Sequence, residues 1–339
     1  MKKKVSLKDI AEKLGVSIAL VSYVLNNQKE GRIGKEISKK IRAVAKRMNY
    51  QTNQIARSLK TNKTYTIGLI VGDISNPFYS GLASIIEAEA EKNKYTVIFG
   101  SSHEDADKYS RILETLMNRQ VDGLIIAPPE HAEPGIKKLQ KQGVPFVLVD
   151  RYFPAVKANY VILDNYDAAW QGTKHLIAGG RKRIGMITYK TELFHLIDRK
   201  KGYREALKEY KIAFKNNWLK EISISNNKSD IEIAVKELLS GNPPIDALLL
   251  ASNSIANHAV KYINTLSIKV PDALAILCFD ETESLDLFYA PLTYLKQPLY
   301  TMGQMATSIL LENIRDGNKI RQVEINAELI IRKSTEPVT

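Results

Sequence analysis

The sequence predicts an all-helical N-terminal domain, followed by a larger α/β body of two lobes with parallel sheets. The first 63 residues contain 16 lysines and arginines but 4 acidic residues, whereas the remainder contains 33 of each. Near Tyr65 the apolar pattern changes from helical spacing to short β-rich runs that alternate with helical segments. A chain of 339 residues is also too long for one small core, so we expect more than one domain.

The first helix is marked at both ends. Ser6 is followed three residues later by Asp9, a spacing typical of a capped helix start, and Gly15 ends the helix. The apolar residues on one face of this helix are Leu7, Ile10, Ala11 and Leu14. Ser17 then provides an N-cap for a second helix, so the sequence predicts a helix-turn-helix.

The same spacing predicts the buried faces of the next two helices. The second helix buries Leu20, Val21, Val24 and Leu25. The third helix runs from about Lys35 to Asn49 and buries Ile37, Ile41, Val44, Ala45 and Met48. Its outer side carries lysines and arginines, which completes a small basic domain.

The charge of this domain favours a polyanionic partner, because lysine and arginine gain free energy by displacing counterions from phosphates. In a helix-turn-helix, the second helix enters the major groove of DNA. The residues of that helix that lie away from its inner face are Ile18, Ala19, Ser22, Tyr23 and Asn26. Ile18 and Ala19 offer apolar contacts to thymine methyl groups, whereas Tyr23 and Asn26 form hydrogen bonds. A three-helix bundle with a solvated basic rim remains the alternative.

Several motifs together resemble the lactose/galactose-repressor (LacI/GalR) family of bacterial transcription regulators. They comprise Asp9-Ile10-Ala11, Gly15-Val16-Ser17, Val21-Ser22, Val24-Leu25-Asn26, Asn49-Tyr50, Asn53-x-x-Ala56-Arg57-x-Leu59 and, near the C-terminus, Ile331-Arg332-Lys333-Ser334. The agreement extends over the whole chain. The resemblance adds Ser17 to the DNA-binding residues and implies double-stranded operator DNA as the partner.

The resemblance also implies a hinge helix over Asn53–Lys60 that folds against the minor groove of the operator. Its DNA-binding positions are Asn53, Ala56, Arg57 and Leu59, and the leucine is the wedge inserted between base pairs. A plain basic linker is the alternative. Three residues depart from the family pattern: Leu20 replaces a usual threonine, Tyr23 a frequent arginine and Thr52 a common proline.

In the body, alternating strands and helices predict parallel sheets flanked by helices. The β-rich runs include Thr66–Val71, Tyr95–Gly100, Gly123–Ala127, Val144–Asp150, Ile184–Thr188, Ala247–Ala251 and Leu274–Phe279. The helical segments include Phe78–Lys92, Asp107–Gln120, Ala168–Ala178, Lys201–Tyr210 and Ser229–Leu239. Composition alone does not separate this body from a Rossmann enzyme, but no G-x-G-x-x-G, P-loop or G-x-S-x-G motif is present.

The family resemblance implies that this body has the periplasmic-binding-protein-like fold, in which two lobes close on a ligand. The expected domains are 1–50 for the helix-turn-helix, 51–63 for the hinge and 64–339 for effector binding and dimerisation. Lobe one then covers about 64–162 and 296–326, and lobe two about 163–295 and 327–339. The three crossings are expected near Ile162, Leu295 and Ala327.

Five residues match effector contacts of the family: Phe78, Tyr79, Asp164, Arg199 and Asp280. Asn253 is a sixth candidate, at a position where Ser252-Asn253 replaces the family's Asn-Asp and removes a charge from the cleft. An arginine with carboxylates provides directional hydrogen bonds to a polyol, and aromatic rings stack on a sugar or base. Asp150 and Arg151 are possible additions. The alternatives are that Phe78 belongs to the core, that Asp164 is only a helix cap and that Arg199 forms ion pairs on the surface.

We therefore expect a cytoplasmic, homodimeric transcription regulator, most often a repressor in this family, controlled by a carbohydrate or sugar phosphate. The single Cys278 excludes an internal disulfide, and no secretory signal or 18-residue apolar run is present. We expect no enzymatic activity, cofactor or metal, since Asp280 and Glu281 point oppositely at a strand end and the five histidines lack metal spacing. A transport protein and an α/β enzyme are the rival classes.

Overall fold

The structure is a computed structural model that describes residues 5–26, 32–50, 63–224, 227–317 and 319–336. These residues belong to two compact units, Met1–Thr64 and Tyr65–Thr339, called here the head and the body. The expected hinge positions Asn53, Ala56, Arg57 and Leu59 lie outside the described residues, so the hinge helix stays a prediction.

The described part of the head contains α1 (Leu7–Leu14), α2 (Ile18–Leu25) and α3 (Lys35–Arg47). At the start of α1, the Asp9 backbone N–H donates to Ser6 Oγ over 3.3 Å, and the Ser6 N–H donates to Asp9 Oδ2 over 2.7 Å. Gly15 follows with φ of 65°, a left-handed conformation that favours glycine.

The predicted core of the head is confirmed. Ile10, Ala11, Val21, Val24, Ile41 and Ala45 are buried, and the remaining predicted apolar residues of the three helices pack against them. The helical spacing therefore identified the inner faces correctly, because a short helix can be stable only by burying one apolar side.

The first lobe of the body is built on a six-stranded sheet with order β11-β5-β4-β3-β1-β2. Its strands are β1 (Thr66–Val71), β2 (Thr96–Ser101), β3 (Gly123–Ile126), β4 (Phe146–Val149), β5 (Asn159–Leu163) and β11 (Gln322–Ile325). Its helices are α4 (Pro77–Lys92), α5 (Ala106–Asn118), α6 (Glu133–Lys141) and α11 (Leu299–Asp316). All strand pairs of this sheet are parallel, as predicted.

The second lobe repeats this plan with strand order β12-β10-β9-β8-β6-β7. Its strands are β6 (Ile184–Tyr189), β7 (Leu219–Ile222), β8 (Ala247–Leu250), β9 (Ala275–Phe279), β10 (Thr293–Lys296) and β12 (Glu328–Ile330). Its helices are α7 (Asn165–Ala178), α8 (Phe194–Glu209), α9 (Asn227–Ser240) and α10 (Asn253–Ile263). The last strand, β12, runs antiparallel to β10, so this sheet is mixed at one edge.

The chain passes between the lobes three times. It crosses after Leu163, after Lys296 and between Ile325 and Glu328. Each sheet has an apolar core on both faces, which explains why its central strands are buried throughout. Among the residues described, no helix has both the length and the apolar character needed to cross a membrane.

The structure extends one helix well beyond its predicted range. Helix α8 begins at Phe194, whereas the apolar spacing indicated a start near Lys201. The two additional turns bury His195 and Arg199 together with Leu196. Two polar residues therefore occupy the inner face, and they conceal the apolar period on which the prediction depended.

Candidate functional sites

The candidate DNA-reading residues of the head lie around the start of α2. Ser17, Ile18 and Ala19 are exposed, whereas Ser22, Tyr23 and Asn26 are half-buried. Ile18, a large apolar side chain, is 48% exposed. The structure therefore brings an apolar contact to the N-terminal end of the helix, where base edges are expected.

Three of these polar candidates already form hydrogen bonds within the helix or at its start. The Asn26 Nδ2 group donates to the Ser22 carbonyl over 2.8 Å and to Ser22 Oγ over 3.2 Å. Ser17 acts as the N-cap, since its Oγ accepts from the Leu20 N–H over 3.2 Å. Ser17 and Asn26 thus have a role in the helix itself, while Ser17 Oγ keeps a hydrogen to donate.

The body contains a cavity of about 290 Å³ between the two lobes. Six of the eight effector candidates, counting the two possible additions, line this cavity. The candidates that line it are Phe78, Tyr79, Asp150, Arg151, Arg199 and Asp280. They follow the carboxyl ends of parallel strands or lie on the helices that come next, where α/β sheets bind ligands.

The wall formed by lobe one is a buried polar network. The Tyr79 hydroxyl donates to Asp150 Oδ2 over 2.8 Å. Both terminal nitrogens of Arg151 donate to Glu104, over 2.6 and 2.9 Å, and Arg151 Nε lies 3.4 Å from Asp150 Oδ2. Burial raises the pKa of the Asp150 carboxyl, while the neighbouring Arg151 opposes this shift.

One glycine is required for this wall. A Cβ atom on Gly72 would collide with Glu104 Oε1 and would lie 3.1 Å from the Tyr79 ring. The absence of a side chain at Gly72 lets Glu104 reach Arg151 beside the ring.

The wall formed by lobe two is centred on Arg199, which is 3% exposed. Its Nε donates to Asn165 Oδ1 over 2.8 Å, and one terminal nitrogen donates to the Ala251 carbonyl over 2.5 Å. Its guanidinium carbon lies 3.8 Å from the centre of the Phe279 ring, a cation–π contact. Arg199 is therefore a buried cleft residue and not a surface ion-pair partner.

Asp280 is held on the same side by two donors. Gln297 Nε2 donates to its Oδ1 over 2.7 Å, and the Asn253 backbone N–H donates to its Oδ2 over 3.2 Å. The neighbouring Glu281 instead bonds Tyr294 and Lys296, so the two acidic residues do face different partners. This arrangement agrees with the expectation that Asp280 and Glu281 form no acid–base pair.

The two cleft aspartates occupy matching backbone positions. Asp150 follows β4 with φ of 67°, and Asp280 follows β9 with φ of 73°. Both are left-handed conformations that a residue other than glycine seldom adopts, and such strain is concentrated at functional sites. Each lobe thus turns a carboxylate into the cavity immediately after a strand.

Two sets of hydrogen bonds cross between the lobes. Asn253 Nδ2 donates to Asn76 Oδ1 over 2.8 Å, which gives this predicted residue a bridging position. In the second set, Glu130 Oε1 of lobe one accepts from the Thr191 hydroxyl and from the Glu192 backbone N–H of lobe two. The lobes are therefore held together around the cavity by neutral and charged groups.

Asp164 lies outside this cavity. It is the N-cap of α7, where its Oδ1 accepts from the Asp167 N–H over 2.9 Å. It lines a separate cavity of about 260 Å³ together with Asp198 and Glu324. The sequence allowed Asp164 to be an effector contact or only a helix cap, and the structure shows the contacts of the helix cap.

Several residues of the cleft were not predicted from the sequence. His195 is 8% exposed and lines both cavities, and its Nδ1 has no hydrogen-bond partner. Burial lowers the pKa of this imidazole well below its usual range, and Arg151 and Arg199 lower it further. Glu104 and Gln297 also escaped prediction, because each is brought to the cleft by a loop without a motif.

Two family models cover nearly the whole chain. Residues 6–53 match the model described as bacterial regulatory proteins, lacI family. Residues 64–333 match the model described as periplasmic binding proteins and sugar binding domain of LacI family. The chain therefore belongs to the LacI family of bacterial regulators.

Individual relatives and a solved structure agree with this assignment. The ribose operon repressor of Haemophilus influenzae is 30% identical over 333 residues, covering 97% of this chain and 98% of the relative. The transcriptional repressor PurR of Photobacterium profundum is 30% identical over 334 residues, covering 98% of each. The crystal structure of the lac repressor dimer with operator and the anti-inducer ONPF has the same fold. Its TM-score is 0.87 at 22% identity, and it covers 98% of this chain and 100% of that chain.

These relationships define a DNA-binding transcription regulator with a small-molecule effector. The head supplies the helix-turn-helix and the body supplies a cleft between two lobes.

Proposed function

We propose that this chain is a cytoplasmic, homodimeric repressor whose affinity for operator DNA is set by a carbohydrate bound between the lobes. The observation that carries the proposal is Arg199, a guanidinium buried in the cleft and facing carboxylates from both lobes. Burying such a charge is costly unless it serves a defined set of partners. No catalytic role is assigned to the cleft.

A carbohydrate fits the chemistry of both walls. Arg199 has five N–H groups, and its two described hydrogen bonds use two of them. Asp150 and Asp280 retain lone pairs for ligand hydroxyl groups, and the rings of Phe78 and Tyr79 offer apolar faces. The similarity to a ribose operon repressor supports this ligand class.

Two further residues complete the proposed effector site without lining the cavity. Asn253 acts through the bridge to Asn76 and through its N–H on Asp280. Asp164 acts at the start of α7, whose Asn165 holds the Nε of Arg199. Both are positioning residues in this proposal.

For DNA, we propose that the head reads the operator with the exposed start of α2. Ile18 and Ala19 contact bases, Tyr23 adds a hydrogen-bonding group, and Ser17, Ser22 and Asn26 support the helix and its approach to the backbone. The hinge residues Asn53, Ala56, Arg57 and Leu59 are proposed, on the family resemblance, to enter the minor groove.

We propose that the lobes form the dimer interface. Strand β2 is an edge strand of the first sheet, and it exposes Ile98 by 36% and Phe99 by 60%. An exposed apolar edge strand is prone to pair with another chain unless it is covered. A second copy provides that cover, and it also matches the two-fold symmetry of an operator.

The proposal is tested by combining a DNA selection with a thermal-shift panel on the full chain. Selection from random duplexes should return a palindromic consensus, and at least one free sugar should raise the melting temperature of the wild type. Arg199→Ala should lose the sugar response but select the same consensus. A consensus without symmetry would contradict the proposed homodimer. An undiminished sugar response in Arg199→Ala would contradict the proposed effector site between the lobes.

Light scattering provides the matched test of the interface. Phe99→Glu should shift the chain towards monomer, because it places a charge at an apolar contact. Ile331→Glu is the control, since Ile331 is similarly exposed, by 58%, but lies away from the β2 edge. Equal effects of the two substitutions would argue against β2 as the interface.

A further inference from the structure

The electrostatic balance of the cleft limits what it can hold. Among the described residues that line the cavity, the acidic ones are Asp73, Glu104, Asp150 and Asp280. The cationic ones are Arg151 and Arg199. His195 is not a third cation at neutral pH, since burial and both arginines lower its pKa well below the usual value. Carboxylates therefore outnumber guanidinium groups by four to two.

One of the two arginines is already committed to the protein. Both terminal nitrogens of Arg151 donate to Glu104, and one of them also donates to the Pro128 carbonyl over 3.3 Å. A fork–fork pair of this kind satisfies the two terminal nitrogens of the guanidinium in the same geometry that a phosphate would use. Arg199 is then the lining arginine whose terminal nitrogens are left to meet an anionic ligand, and the negative charges of Asp280 and Asp150 already act on it.

Three buried polar atoms of residues that line the cleft have no described hydrogen-bond partner, and one of them, Arg151 Nε, lies 3.4 Å from Asp150 Oδ2. Gln297 Oε1 and His195 Nδ1 are buried and have no described hydrogen-bond partner. The carboxylates of Asp150 and Asp280 are acceptors with spare lone pairs. These groups are suited to ligand O–H donors, whereas the phosphate group of a sugar ester, which is mostly a dianion at neutral pH, has no hydrogen to offer them.

We propose that the cleft selects an uncharged polyol and rejects the phosphate ester of the same sugar. The inference rests on the proposed function, since it concerns the effector of that site. It narrows the expected class, a carbohydrate or sugar phosphate, to the free sugar. The reason is that a dianion would enter a site of net negative charge with one uncommitted guanidinium.

Matched ligand pairs test this selectivity. The full-length chain is titrated by thermal shift and calorimetry with D-ribose, D-glucose, D-fructose and cellobiose, and with the 6-phosphate (5-phosphate for ribose) of each. At least one free sugar should bind, and its phosphate ester should bind at least about tenfold more weakly.

The outcomes separate this inference from the proposed function. Binding of a phosphate ester as tightly as its parent sugar would overturn the inference and leave the carbohydrate effector intact. Binding of no member of any pair would overturn both, because the panel spans a pentose, two hexoses and a disaccharide.

Charge-removing variants supply the second arm. Glu104→Gln removes the negative charge that pairs with Arg151, and Asp73→Asn removes a carboxylate whose described bonds are to Ser75 within its own turn. Both variants should reduce the ratio of the affinity for the sugar to the affinity for its phosphate ester, each by a factor of up to about ten. Glu114→Gln, an exposed change on α5 of the same lobe, should leave the ratio unchanged. An unchanged ratio in both cleft variants would show that charge does not set the selectivity.

Discussion

The head presents its candidate contacts on consecutive turns of one helix, whereas the cleft draws its side chains from several loops and helices between Asp73 and Gln297. The head has a large positive charge at its surface, and the lining of the cleft has a small negative one inside. Charge at a surface acts over a Debye length and is screened by salt, but buried groups act through geometry and are screened little. The two regions should therefore respond to different perturbations.

The largest expected effect is that of salt on the head. Binding of DNA by the full chain should weaken with a log–log slope of about −5 to −9, if roughly 6–10 phosphates are contacted. Sugar binding by the cleft should change little over the same range, because its ion pairs are buried. Fluorescence anisotropy and calorimetry from 50 to 200 mM salt, concentrations at which such slopes are resolved, measure both. Equal salt sensitivity of DNA binding and sugar binding would contradict the proposed difference between the head and the cleft.

The next effect concerns the cleft alone. Asp280→Ala leaves the Asn253 N–H and Gln297 Nε2 without their acceptor and removes a proposed ligand contact. Sugar affinity should fall by about 2–5 kcal/mol, as expected when one member of a buried hydrogen-bonded charge set is lost. DNA affinity without sugar should stay within about twofold of wild type. Asp286→Ala, an exposed change on the same lobe, is the control.

The sequence was sufficient for the head because a helix-turn-helix is local. Ser6, Gly15 and Ser17 mark the helix boundaries, and the apolar period gives the inner faces, so each inference needs only neighbouring residues. The third helix was found in the same way. Three-dimensional packing added the pairing of Asn26 with Ser22, which spacing alone does not reveal.

The cleft was predictable only in part because it is assembled over long distances in the sequence. Arg199, Asp280 and Tyr79 were found through motifs, but the partners of Arg151 and Asp280 lie 47 and 17 residues away. His195 was missed because a buried polar residue breaks the apolar period of α8 and no motif marks it. The antiparallel β12 was missed because three residues are too few to show a period.

A smaller effect should distinguish the base-reading face of the head. Tyr23→Arg introduces a planar fork that reads guanine, so the preferred base at one operator position should change by about 1–3 kcal/mol. Binding selections with both proteins measure this change, and sugar affinity should be the same in each. Lys13→Arg, an exposed change in α1, serves as the control. Identical consensus sequences for wild type and Tyr23→Arg would argue that this face of α2 does not read bases.

The smallest effect is on the acid stability of the body. The pKa of His195 is lowered in the folded chain, so the unfolded chain binds more protons below about pH 6.5. The free energy of unfolding should therefore fall as the pH drops below that value, by up to about 1.4 kcal/mol per pH unit from this group. His195→Gln should flatten the slope between pH 6.5 and 5, as followed by denaturant titration. An unaltered slope would show that His195 is not the titrating group.

The central claim is that the cleft and the head, although physically different, are coupled through one equilibrium. The most direct test measures the dissociation constant of the full chain for its selected operator, with and without the free sugar that stabilises the wild type. The sugar should change operator affinity by some factor, and operator should change sugar affinity by the same factor, since coupling free energy is reciprocal. Arg199→Ala should bind operator normally and show no response to the sugar. A sugar that occupies the wild-type cleft but leaves operator affinity unchanged would contradict the account.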